Sequence, residues 1–197
     1  KTLHLHRSKR QGIPLPIVTL VGYTNAGKST LLNSLSGAGV LTQDMLFSTL
    51  DQTTRQIFLP NKQKFLLTDT VGFIKKHPVQ LVDAFKATLE EVTESDLICH
   101  LVDLSDPEFE TKMEVVDGIL HSLGAGGRSI LYVYNKIDIS DDPRLIFLRH
   151  KRRHPFVMIS AEKKINLGGF LEQITVQLSH FTETVELKIP IEDQKAI

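Results

Sequence analysis

Short apolar runs alternate along this chain with stretches whose apolar residues recur at helical spacing. Runs of strand length lie near Ile17–Val21, Gln56–Leu59, Lys64–Asp69, Leu97–Asp103, Ile130–Asn135 and Phe156–Ile159. Between them, three- and four-residue steps near Lys28–Leu35, Leu81–Val92, Glu108–Leu123 and Leu167–Phe181 predict helices with one buried face. Alternation of this kind predicts an α/β fold, a mostly parallel six-stranded sheet with helices on both faces. Pro60-Asn61-Lys62 separates the second strand from the third by only a turn. That pair is therefore expected to be a hairpin that supplies one antiparallel edge strand.

Composition narrows the setting. With 41% hydrophobic residues among 197, the chain can bury one substantial core. Lys+Arg and Asp+Glu both number 23, so any nucleic-acid or membrane contact would need a local patch. The lone Cys99 excludes an internal disulfide and lies in the apolar run Leu97–Val102, where a buried structural thiol is expected. No apolar run reaches the roughly 18 residues of a membrane span, which makes a soluble, reducing, cytoplasmic setting the default. The chain opens at Lys1 rather than Met and ends just after a strand-like Val185–Ile191, as expected of a domain cut from a longer protein.

The strongest local signal is Gly22-Tyr23-Thr24-Asn25-Ala26-Gly27-Lys28-Ser29, which fits G-x-x-x-x-G-K-[ST] directly after an apolar run and directly before a helix. In that context successive backbone N–H groups converge on phosphate oxygens, and glycines allow close approach. Lys28 supplies a compact positive charge to the β/γ-phosphates, and the Ser29 hydroxyl can ligate Mg²⁺. Asp69-Thr70-Val71-Gly72 follows the third strand, so Asp69 can hold the same Mg²⁺ through a water and Gly72 can bring its N–H to a γ-phosphate. Between the two motifs, Phe47-Ser48-Thr49-Leu50-Asp51-Gln52-Thr53-Thr54-Arg55 is polar and rich in hydroxyls. A switch of this kind needs a threonine that meets Mg²⁺ only with the γ-phosphate in place, and Thr49, Thr53 and Thr54 all qualify chemically.

Two further motifs concern the base. Asn135-Lys136-Ile137-Asp138 closes the fifth strand, and a carboxylate at Asp138 offers only acceptors, which suits the N1–H and 2-amino donors of guanine and not adenine. Asn135 can tie this loop to the phosphate loop while the Lys136 stem lies along the ring face. Ser160-Ala161-Glu162 follows the last strand, and its backbone N–H groups could meet guanine O6; read alone, Ser160 is better explained as a cap or turn residue.

With these residues assembled, the chain resembles the translation-factor-type P-loop GTPases, and more narrowly the HflX family of the Obg/HflX group. The resemblance runs from about Gly12 to Phe181 and is carried by Gly22–Asn33 (which includes Thr30), Leu46–Arg55, Asp69–Ile74 and Asn135–Asp138. It implies a Ras-like G domain that binds and hydrolyses GTP with Mg²⁺, with Lys28, Thr49 and Gly72 as catalytic groups. The choice of Thr49 comes from the family's F-x-T-L-D pattern. Residues 15–181 would be the G domain, 1–14 the tail of an N-terminal linker helix, and 182–197 the start of a truncated C-terminal domain. Association with the large ribosomal subunit is implied too, with ribosome splitting or rescue under stress.

Two residues turn attention from binding to hydrolysis. Phe73 stands where Ras-like proteins carry a glutamine that orients water, and a phenyl ring cannot do so. Asn25 matches the position that in some related GTPases helps hold K⁺ beside the phosphates; local hydrogen bonding within the loop is the plainer role. The cluster Arg149-His150-Lys151-Arg152-Arg153-His154 is either a solvated loop or a contact with RNA backbone. Competing readings are an ATPase or kinase that shares only the phosphate loop, a nucleotide-gated binding module with negligible turnover, and a GTPase of another process such as RNA modification.

Overall fold

Strands β1 (Ile17–Gly22), β2 (Thr54–Phe58), β3 (Lys64–Asp69), β4 (Leu97–Asp103), β5 (Ser129–Asn135) and β6 (Phe156–Met158) form one sheet in the order β2-β3-β1-β4-β5-β6. Only β2 runs antiparallel; all other pairs are parallel. The computed structural model describes residues 15–37, 54–70, 92–140 and 154–179. Helices α1 (Lys28–Gly37), α2 (Phe109–Ser122) and α3 (Leu167–Ser179) lie among them. The helix expected at Leu81–Val92 falls outside the described residues except for Val92, as do the proposed flanking segments 1–14 and 182–197.

Period-two alternation in the strands accounts for the layering. Val18 and Leu20 of β1, Leu97, Cys99 and Leu101 of β4, and Leu131 and Val133 of β5 share one cluster with Leu31, Leu32 and Leu35 of α1 and Phe170, Ile174 and Leu178 of α3. The residues between them face the other way, where Val21 and Ile98 meet Val116 and Leu120 of α2, and Tyr132 and Tyr134 meet Phe109 and Met113. A parallel strand covered on both sides must be apolar throughout, and β4 is buried at every position but Asp103. Cys99 sits in that strand with its thiol pushed well above its ordinary range by burial, as expected for a structural cysteine.

The hairpin forms as expected, with Lys62 in the left-handed region (φ 66°) and the Asn61 side chain accepting from the Gln63 N–H at 3.1 Å. Its first strand, β2, begins two residues before the expected Gln56, because Thr54 and Arg55 pair with Thr68 and Leu67 while Leu59 is drawn into the turn. Register thus overrides the apolar run as the marker of the strand's ends.

The α3 face covers one side of the sheet together with α1, and Phe170 is wholly buried in it. Phe170→Ala is expected to lower unfolding free energy by about 3–5 kcal/mol, read by urea titration.

Candidate functional site

Five parallel strands place their C-terminal ends along one edge of the sheet, and the motif residues gather there. β1 ends in Gly22, whose Cβ would fall 2.5 Å from the Leu101 carbonyl oxygen, so the loop leaves the strand only with glycine at this point. Asn25 then takes φ 65° and Gly27 φ 98°, which turn the loop back before α1 starts at Lys28. Lys28 is 7% exposed, and its ammonium donates to the Gly22 and Tyr23 carbonyls at 3.2 and 3.3 Å. Burial lowers its pKa, with Asp69 acting in the opposite direction. An ammonium that is buried and, among the described residues, donates only to neutral carbonyls is under-neutralised and is suited to an anionic ligand.

Ser29 donates to Asp69 at 2.7 Å, which joins the start of α1 to the end of β3. Burial raises the Asp69 pKa, while the Ser29 hydroxyl, Lys28 and the Thr70 amide pull it back. The other carboxylate oxygen of Asp69 is buried and meets no hydrogen-bond donor among the described residues. One hydroxyl and one carboxylate with an orphaned oxygen fit a Mg²⁺ ion that would take waters and phosphate oxygens as its other ligands. No group of three or more His, Cys, Asp or Glu capable of holding a metal occurs among the described residues, so a wholly protein-built metal cage is absent there.

The second half of the site is a cleft lined by Gly27, Thr30, Asn135, Lys136, Asp138, Ile139, Ser160, Glu162 and Lys163. Asn135, at the end of β5, organises it. Its side chain is buried, donates to the Ala26 carbonyl at 2.8 Å and accepts from the Ala161 N–H at 2.9 Å. A Cβ on Gly27 would lie 2.2 Å from the same Asn135 amide nitrogen. Phosphate loop and base loop are therefore built around one side chain. Asp138 stands exposed at the mouth of the cleft, and Lys136, with φ 65°, reaches Asp103 at 2.6 Å.

Several expectations narrow. Thr54 lies in β2 with its hydroxyl 3.0 Å from that of Thr68, so it belongs to the sheet and not to a free switch loop. Thr70 commits its hydroxyl to the Leu20 carbonyl at 2.7 Å. In the last motif, the Ser160 N–H donates to the Ile165 carbonyl and the Ala161 N–H to Asn135, which leaves Glu162 as the amide able to face the cleft. The Ser160 hydroxyl accepts from the Lys163 N–H and is a turn residue. The Asn25 side chain is exposed and makes no hydrogen bond among the described residues, so local bonding does not account for it. Phe47, Ser48, Thr49, Leu50, Asp51, Thr53, Val71, Gly72, Phe73 and Arg149–Arg153 lie outside the described residues.

Sequence reasoning missed Asp103 and Ser34. Asp103 ends β4 beside Asn135 in the parallel register, and its second oxygen accepts from the Ser105 N–H and hydroxyl at 3.0 and 2.6 Å. An acidic residue at the C-terminal end of a strand was the available signal. Ser34 donates from α1 to the Ala161 carbonyl at 2.6 Å, and nothing local marks it.

Comparison with known proteins agrees with this geometry. The family described as "50S ribosome-binding GTPase" matches residues 17–136. Among curated relatives, a protein named GTPase HflX from Caldanaerobacter subterraneus subsp. tengcongensis is 45% identical over 98% of this chain, and one from Magnetococcus marinus is 47% identical over 98%. The chain spans 44% of the length of each. A GTP-binding protein from Sulfolobus solfataricus, solved with GDP, matches 85% of this chain and 53% of its own with TM-score 0.67 and 30% identity. The FeoB G domain of T. maritima, at 20% identity and TM-score 0.58 over 83% of this chain and 99% of its own, shares the fold.

Gly27 is the residue on which both halves of the site close. Gly27→Ala is expected to cost about 1–3 kcal/mol of stability in denaturant unfolding, through left-handed strain and displacement of the Asn135 amide.

Proposed function

The chain belongs to the HflX family of P-loop GTPases, and from that premise we propose that it binds GTP with Mg²⁺ at this site, hydrolyses it, and acts as a nucleotide switch on the large ribosomal subunit. The observation that carries the reading is Asn135. One buried amide holds Ala26 of the phosphate loop and Ala161 of the base loop, so triphosphate and base are taken by a single preformed site.

In this reading residues 15–181 are the G domain, with 1–14 and 182–197 belonging to flanking domains. The loop amides and the Lys28 ammonium stabilise the charge that develops on the transferred phosphoryl group. Ser29, Thr49 and, through a water, Asp69 would hold Mg²⁺, which would supply charge neutralisation to the phosphates. Thr49 and the Gly72 N–H sense the γ-phosphate. Tyr23, Thr24 and Thr30, together with Phe47, Ser48, Leu50 and Asp51, complete the proposed set of GTP-binding residues. Asp138 accepts from the N1–H and 2-amino groups of guanine, and Asn135, Lys136 and Ile137 set the loop that carries it. Since Phe73 cannot orient water, hydrolysis by the chain alone is slow, and Asn25, whose exposed side chain makes no hydrogen bond among the described residues, is where a K⁺ ion would be held to raise it. The ribosomal part of the proposal rests on the described activity of the matching family and on the basic cluster that ends at exposed His154.

Three measurements test these statements. Calorimetry should show GTP and GDP bound in preference to ATP, and Asp138→Asn should weaken GTP binding by roughly tenfold or more while admitting xanthosine nucleotides. Phosphate release should rise on addition of large ribosomal subunits; rates that stay negligible with and without them would leave only a nucleotide-gated binding module. Replacing Na⁺ by K⁺ should accelerate hydrolysis, and equal rates would remove the assignment to Asn25.

A further inference from the structure

The peptide unit between Ala161 and Glu162 is held from beneath by a residue far away in sequence. Ser34 lies on α1, the helix that starts at the phosphate-binding Lys28, and is buried there along with Leu31 and Leu35. Its hydroxyl donates to the Ala161 carbonyl at 2.6 Å across 127 residues of sequence. The preceding peptide unit is held separately, by the Ala161 N–H to Asn135 at 2.9 Å.

A trans peptide is planar, so its C=O and the following N–H point in opposite directions. A carbonyl of Ala161 turned down onto α1 therefore turns the Glu162 N–H away from the core, toward the cleft that Glu162 and Asp138 line. We propose that Ser34 is a positioning residue for base recognition: by fixing the Ala161 carbonyl it aims the Glu162 N–H at the 6-oxygen of guanine. Asp138 and Glu162 then divide the base between them, the carboxylate taking the donor edge and the amide the acceptor. Because Ser34 stands less than two helical turns from Lys28, the same rigid helix sets phosphate and base positions relative to each other. The inference rests on the guanine-binding reading above.

The test compares the affinity of the chain for GDP with that for 2-aminopurine riboside diphosphate, which keeps the 2-amino group and lacks the 6-oxygen, by calorimetry with Mg²⁺. The native chain should prefer GDP. Ser34→Ala should narrow that preference by about five- to tenfold, the worth of one well-aimed hydrogen bond, through weaker GDP binding and with affinity for the 2-aminopurine nucleotide nearly unchanged. A merely structural serine would lower both affinities together and leave their ratio intact, and that result would overturn the proposal. Should Ser34→Ala not fold, Ser34→Cys, close in size and a weak donor, is read by the same ratio. If the native chain itself shows no preference for GDP, the guanine reading fails and this inference falls with it.

Discussion

One buried side-chain amide sets the geometry on which the site depends. Asn135 donates to Ala26 and accepts from Ala161, partners that lie 109 and 26 residues away in sequence. Leaving either end of a buried amide without its partner costs about 1–3 kcal/mol, so the two loops are held in place together. The same amide occupies the space a Cβ on Gly27 would need. The second glycine of the loop is thus required by a neighbouring side chain as well as by its positive φ.

Among the described residues near the phosphate loop, Lys28 is a buried cation whose hydrogen bonds go to no carboxylate. Lys136 meets Asp103, and Lys112 of α2 is paired with Asp106 while lying 5.4 Å from the centre of the Tyr23 ring. The Lys112 hydrogen bond holds the Asp106 carboxyl below its usual range, but solvent reaches both groups and the pair adds little stability. Lys28 differs from both: its hydrogen-bond partners are carbonyls, and the influence of the Asp69 carboxylate on it is outweighed by burial. With Lys112 and Lys136 each paired to a carboxylate, the buried Lys28 ammonium is the charge beside the loop that can wrap around an anion.

Most of the sheet and the motif positions are legible from local rules. The apolar runs mark all six strands, Pro60-Asn61-Lys62 marks the hairpin, and helical spacing marks α1, α2 and α3. Strand ends are less legible, as β2 shows, because backbone pairing with β3 and not side-chain apolarity sets where it begins. Thr54 is one of three chemically eligible threonines, and only that pairing reveals that its hydroxyl is used within the sheet. Spacing alone offers Ser160 and Ala161 to a base, but their amides are spent on Ile165 and Asn135.

By itself the sequence determined the properties set by spacing along the chain: the strand and helix periods, the glycines of the phosphate loop, and the donor and acceptor types offered by Lys28, Asp69 and Asp138. Those properties depend on neighbours within a few residues and on side-chain chemistry, which a linear reading contains. Only the tertiary structure decided which atoms remain available to a ligand. The Lys136–Asp103 pair, the Ser34 bond to Ala161 and the two bonds of Asn135 each join segments brought together by the parallel register of β4, β5 and β6 and by the packing of α1 beneath them. A hydrogen bond across 127 residues has no trace in local periodicity, because its geometry exists only once the sheet and helix have closed around it.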